Sequence, residues 1–142
     1  MPIQFLDMRV SNINGNDATV LTIPEAPGLL FGDIGIQVNG ALPANLGDIR
    51  VSLNGYANVS GLMVGEKITI KIFRDLITPI FVTSYTVDSQ FTNTFSFNAV
   101  DFHPPVSSIG QIRYTATIET DTPFAVLGAA NFSGMAVAGS NS

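Results

Sequence analysis

The sequence predicts an all-β chain, folded as an antiparallel two-sheet β-sandwich of the jelly-roll type with about 8–10 strands. Three observations carry that reading. Apolar residues recur with a period of two rather than 3.6. Turns rich in Gly, Pro and Asn break the alternation at short intervals. Ten Phe and three Tyr occur without any Trp, a supply suited to filling the roughly 10 Å between packed sheets. A strand count above seven favours the jelly roll over the smaller immunoglobulin-type sandwich. No linker, repeat or shift in composition divides the 142 residues, so 1–142 reads as one domain.

The elements follow in chain order. A first strand falls at 3–10, and residues 1–10 suit an assembly strand that adds to the open sheet edge of a neighbouring subunit. Asn14-Gly15-Asn16-Asp17 turns the chain into a strand at 18–23, and the Pro24–Gly28 run turns it again. A strand at 34–38 ends at Asn39-Gly40, and 43–47 has room for a single helical turn. Ile49, Val51, Leu53, Ala57 and Val59 then share one parity, opposite Arg50, Ser52, Asn54, Tyr56 and Asn58. Ile68, Ile70 and Ile72 alternate with Lys67, Thr69 and Lys71. A strand at 80–87 is followed by Phe91, Phe95, Phe97 and Ala99 on one face. Ile112, Tyr114, Ala116 and Ile118 oppose Arg113, Thr115, Thr117 and Glu119. Each run gives one apolar and one polar face, as half-buried antiparallel strands do. A last strand spans 129–138, and 139–142 reads as a frayed tail.

Composition removes several functions. Charged residues make up only 12% of the chain against 46% hydrophobic, with a net charge of −5. The six cations are scattered, so nucleic acid, which is held mainly through Lys and Arg, is excluded as a partner. No stretch approaches the roughly 18 apolar residues of a membrane helix, and the N-terminus lacks the basic start and apolar run of a secretion signal. The absence of cysteine removes disulfides and thiolate chemistry together. So few charges leave a monomer poorly equipped to stay dispersed, whereas interface cores are depleted in charge. The balance points to assembly.

Catalytic chemistry finds no constellation. His103, the single histidine, precedes Pro104-Pro105 and stands near Asp101, but no nucleophile motif accompanies the pair, and a loop histidine explains it. The eleven carboxylates are singletons at turn and surface positions, with no spacing that selects a convergent pair. The oxygen-rich stretch from Asn12 to Asp17 lacks the pattern and closing glutamate of an EF-hand, and a hairpin loop accounts for it. Gly32 and Gly35 precede no helix that could aim its N-terminus at a phosphate, so bulges and bends are their use. Asn58-Val59-Ser60 and Asn131-Phe132-Ser133 match the glycosylation triplet, the second inside a strand. Lys67 and Lys71 sit on solvated strand faces, where an isopeptide bond is the rarer use of a lysine. No catalytic residue, cofactor or metal ligand is assigned, and the chain reads as a non-enzyme.

The last strand carries the functional reading. Ala130, Phe132, Gly134, Ala136 and Ala138 lie on one parity, and Asn131, Ser133, Met135 and Val137 on the other. Neither face is charged, and such a strand is ordinarily covered on both sides. One sandwich covers only its inner side, so a neighbouring subunit is expected on the outer side. The assigned interface residues are Asn131, Ser133, Met135 and Val137, with Ile3 and Phe5 of the N-terminal strand. A ligand- or glycan-binding tip, lectin-like or resembling a phage fibre head, is the alternative. A sandwich enzyme ranks last.

The runs Ile68-Thr69-Ile70-Lys71-Ile72-Phe73-Arg74-Asp75, Asn98-Ala99-Val100-Asp101-Phe102, Ile112-Arg113-Tyr114-Thr115-Ala116-Thr117 and Asn131-Phe132-Ser133-Gly134-Met135-Ala136-Val137 resemble, in order and spacing, small jelly-roll proteins of spore-forming bacteria. Those proteins are related in fold to the C-terminal, tumour-necrosis-factor-like domains of collagen-like exosporium glycoproteins. The resemblance spans the last two-thirds of the chain. It implies a homotrimer at the spore surface, in the exosporium or an extracellular appendage, with itself and other spore-surface proteins as partners. The chain departs from the collagen-like members in having no Gly-X-Y stalk and no clear exosporium leader, which favours a fibre subunit or adaptor.

Overall fold

A computed structural model describes residues 3–14, 21–25, 27–88, 93–106, 110–121 and 124–139. Nine strands form: β1 Gln4–Asn14, β2 Leu21–Thr22, β3 Leu29–Gln37, β4 Ile49–Ser60, β5 Lys67–Arg74, β6 Thr78–Thr86, β7 Asn93–Phe102, β8 Gln111–Thr120 and β9 Val126–Ala138, with one 3₁₀ turn at Pro43–Asn45. They build two antiparallel sheets of order β1-β9-β4-β7 and β3-β8-β5-β6, with β2 joining β9. From β2 onward successive strands alternate between the sheets apart from the β5–β6 hairpin, in the manner of a jelly roll. The expected class is the observed one.

Alternation becomes burial. Ile68, Ile70 and Ile72 are buried, as are Ile112, Tyr114, Ala116 and Ile118 opposite them. Phe97 sits at the centre of the core. It meets the Phe31 ring edge-on at 6.0 Å and stacks on Phe132 at 6.2 Å, geometries that suit the aromatic quadrupole. Two glycines let the sheets close to this distance. A Cβ on Gly32 would lie 2.5 Å from Cβ of Phe132, and one on Gly134 would lie 2.7 Å from Ile34 Cδ1 and 2.9 Å from Leu53 Cδ2. The small inner parity of β9 therefore serves packing between the two sheets of one chain. Gly32 also follows a register shift after Leu30, the bulge role expected of it.

One polar group crosses the core. Asp101 of β7 accepts two bonds from Arg74 Nη1 of β5, at 2.8 and 2.9 Å, and one from the Tyr114 hydroxyl of β8 at 2.8 Å. This network ties the two sheets together near the β5–β6 hairpin, where Asp75 and Leu76 take positive φ. Burial, reinforced by the bond to Asp101, pushes the Tyr114 phenol above its ordinary range. Asp101 thus faces inward to Arg74 and Tyr114, while His103 is exposed on the loop beyond, beside the Phe102 ring. The two do not form an acid–base pair.

Three expectations change. Residues 4–10 are not a free assembly arm: β1 runs along β9 of the same chain from Gln4↔Ala138 to Asn14↔Ala130, its backbone groups closing an antiparallel ladder there. Only Leu21–Thr22 of the strand expected at 18–23 is regular among the described residues, and the Asn14–Asp17 turn falls largely outside them. Gly139, expected in the frayed tail, is buried and donates its N–H to the Asp48 carbonyl at 3.0 Å. Residues 140–142 lie outside the description.

Candidate interaction face

Sheet registers define the outer face of the β1-β9-β4-β7 sheet as four rows. The first row reads Phe5, Val137, Arg50 and Phe102; the second reads Met8, Met135, Ser52 and Val100. The third holds Val10, Ser133, Asn54 and Asn98, and the fourth Asn12, Asn131, Tyr56 and Ser96. Apolar side chains fill the end where β1 begins and β9 ends; hydroxyls and amides fill the other. Phe102 is 64% exposed, Phe5 60%, Met8 and Val100 57%, Val10 55% and Met135 41%.

All of the assigned interface residues except Ile3, which lies just ahead of β1 and is 46% exposed, belong to these rows. Asn131, Ser133 and Val137 are half-buried by the neighbouring strands, so within one chain the outer side of β9 is only partly covered. Ser133 donates to Asn54 Oδ1 at 2.6 Å. Met8, Val10, Val100 and Phe102 belong to the same patch and were not assigned. For β1 the cause is a register shift between Phe5 and Asp7. The extra residue reverses parity, so Phe5 and Met8 share a face that strict alternation would split. For β7 the signal was present: Val100 and Phe102 end the otherwise polar parity of Thr94, Ser96 and Asn98.

Charge separates this face from the opposite one. Arg50 is the only ionisable cation or anion in the four rows, and it pairs with Asp48 at 2.8 Å. On the outer side of the other sheet, Arg113 pairs with Asp33 at 2.6 Å and Lys71 with Glu119 at 3.1 Å. The Arg113 guanidinium holds the Asp33 carboxyl below the usual range. That sheet also carries a shallow cleft of about 390 Å³ lined by Glu25, Lys67, Thr69, Glu119, Thr120 and Asp121. Among the described residues no three His, Asp or Glu side chains gather as a metal site.

The edge shared by β1 and β3 is closed by side chains. Asp7 Oδ2 accepts from the Gln37 N–H at 2.8 Å and Ser11 Oγ from the Asp33 N–H at 3.3 Å. Burial opposes ionisation of Asp7, but the bonds from Gln37, Arg9 and Met8 outweigh it and hold its carboxyl below the usual range.

No family model matches the sequence, and no curated protein does. Solved structures share its fold. The chain is similar to dimeric latent PorU from Porphyromonas gingivalis, with a TM-score of 0.56, 8% identity, and 95% of this chain covered against 13% of that one. It is also similar to the infectious bursal disease virus VP2 subviral particle, at 0.51, 10% identity, 93% and 36%. The CBM36-1 domain of a multidomain xylanase from the hindgut metagenome of Trinervitermes trinervoides aligns at 0.45 and 8% identity, over 96% of this chain and all of that domain. The chain thus spans a small part of the first two proteins. The first two likenesses show a shared fold and nothing beyond it.

Proposed function

We propose that this chain is a non-enzymatic structural protein of a bacterial spore surface, assembling as a homotrimer through the outer face of the β1-β9-β4-β7 sheet. The observation that carries the assembly is the apolar end of that face. Four strands about 4.8 Å apart span roughly 19 Å, and the two apolar rows span roughly 14 Å, so with Val10 beside them the patch covers roughly 300 Å². A patch of that order is the size of the largest apolar patch on a typical monomer, which is often functional. The four rows together, roughly 27 Å along the strands, give about 500 Å², over half of the roughly 800 Å² per partner of a standard interface. Its nearly uncharged interior fits an interface core, while the ion pairs of the opposite sheet fit water. The number three and the spore setting rest on the resemblance to tumour-necrosis-factor-like exosporium domains.

Light scattering coupled to sizing tests the assembly. The expected mass at micromolar concentration is about 45 kDa, three times the 15.0 kDa chain. A single species of chain mass at every concentration rejects the proposal, and a stable dimer would reject its threefold form.

A further inference from the structure

A two-sheet sandwich has four sheet edges, and an unprotected edge invites another strand. Three edges here carry a blocking device. β1 is broken by register shifts at Phe5/Asp7 and Asn12/Asn14. β3 has the N–H groups of Asp33 and Gln37 occupied by Ser11 and Asp7. β6 contains Pro79 and is shifted where it passes Ile72 and Phe73 on β5. β7 has no register shift and no Pro, and the side-chain bond at its edge goes to one carbonyl, that of Ser96 from the Tyr85 hydroxyl. It pairs with β4 without a break from Arg50↔Phe102 to Val59↔Asn93, and it contains no Pro, Gly, Lys or Arg.

The direction of its free backbone groups can be read from two bonds. His103 donates its N–H inward to the carbonyl of Ile49, the first residue of β4, whereas the Ser96 carbonyl accepts from the Tyr85 hydroxyl across the edge. Antiparallel ladders alternate residue by residue, so Asn98, Val100 and Phe102 point their N–H and C=O groups away from β4. Tyr85 tethers the edge at Ser96, and among the described residues no bond occupies the outward groups of Asn98, Val100 and Phe102.

We propose that β7 is a second self-assembly site, at which β7 of another copy pairs antiparallel about a two-fold axis through Val100, joining two sheets into one. The occupant follows from the ladder's own symmetry. With Val100 on the axis, Asn98 of each copy lies opposite Phe102 of the other, and every outward-pointing residue meets another outward-pointing residue. The pairing then closes roughly six backbone bonds with no bulge. The ladder's outward side chains are uncharged, so no like charges are forced together, and the exposed Val100 and Phe102 side chains of the two copies continue one apolar strip. This contact is separate from the sheet-face contact proposed above. Together a two-fold edge and a face contact extend an assembly beyond a closed trimer.

Amide hydrogen exchange on the full chain across a concentration series tests it. The Asn98, Val100 and Phe102 amides should slow at least about tenfold as concentration rises, while Ala99 and Asp101, already bonded to β4, stay protected throughout. Asn98→Pro removes one outward donor per copy without touching the β4 ladder. It should abolish the concentration-dependent slowing of Val100 and Phe102, with protection at Ala99 and Asp101 reporting that the fold is intact. Equal exchange at Asn98, Val100 and Phe102 at all concentrations overturns the edge pairing, as does its survival in a folded Asn98→Pro chain. Assembly in solution with these three amides unprotected overturns this inference alone and leaves the face contact standing.

Discussion

Asp101→Ala should lower stability by about 4 kcal/mol, visible as a fall in melting temperature of roughly 10 °C or more. The carboxylate is buried, with a side-chain exposure of 7%, and it satisfies two groups at once. Its removal strands the Tyr114 hydroxyl, which is fully buried, at a cost of about 1–3 kcal/mol. It also leaves the Arg74 guanidinium, only 18% exposed, without its counter-charge, and breaking one side of a buried ion pair costs about 3–5 kcal/mol. Tyr114→Phe removes only one neutral donor and should cost about 1 kcal/mol. A melting temperature for Asp101→Ala within about 2 °C of the parent would show that the network does not cross-link the sheets.

Gly134→Val should also be severely destabilising, by about 3 kcal/mol, and Gly134→Ala measurably so. Two effects compete at this position. Alanine in a strand avoids the entropic cost of glycine, a gain of about 0.5–1 kcal/mol. Against it stand contacts of 2.7 Å to Ile34 and 2.9 Å to Leu53, well inside van der Waals separation. These neighbours are packed core side chains from the facing sheet and the adjacent strand, so yielding means moving off rotamer or separating the sheets. Overpacking wins. Chemical denaturation of both variants checks the order, and a stabilised Gly134→Ala would mean the core has slack beside β9.

Strand existence was legible because side-chain parity survives wherever a strand is regular. Ile68-Thr69-Ile70-Lys71-Ile72 went from alternation to burial without correction, and Ile112–Ile118 did so apart from Thr115, which is buried on the polar parity. Legibility failed where a residue was inserted or a partner was distant. The shift at Phe5/Asp7 moved Met8 onto the outer face, and nothing in local pattern announces such a bulge. The Arg74–Asp101–Tyr114 network joins residues 27 and 13 positions apart, so Asp101 looked like a neighbour of His103 when its partners lay across the core. The small residues on the inner parity of β9 permit a close approach. The approach is to β3 and β4 of the same chain, through Ile34 and Leu53. The candidate face was half legible. Its β9 column stood out as uncharged on both parities, while the apolar ends of β1 and β7 became one surface only when β4 and β9 brought them together.

The two self-contacts have different chemistry. The face buries side chains and depends on apolar area, so it should strengthen with kosmotropic salts. The β7 edge depends on backbone bonds and fixed register, and so gives direction. Together the two proposals describe a subunit whose ionic sheet would face solvent while its other sheet and one edge would face copies of itself.

Methionine oxidation tests the covered face most directly. Met8 and Met135 lie side by side in its second row, at 57% and 41% exposure, and Met63 on a loop at the far end of the sandwich is 58% exposed. Dilute peroxide should convert exposed thioethers at similar rates. At concentrations where the chain assembles, Met8 and Met135 should oxidise several-fold more slowly than Met63, with the difference vanishing on dilution. Met8 and Met135 oxidising as fast as Met63 in the assembled state would mean that this face stays open to water.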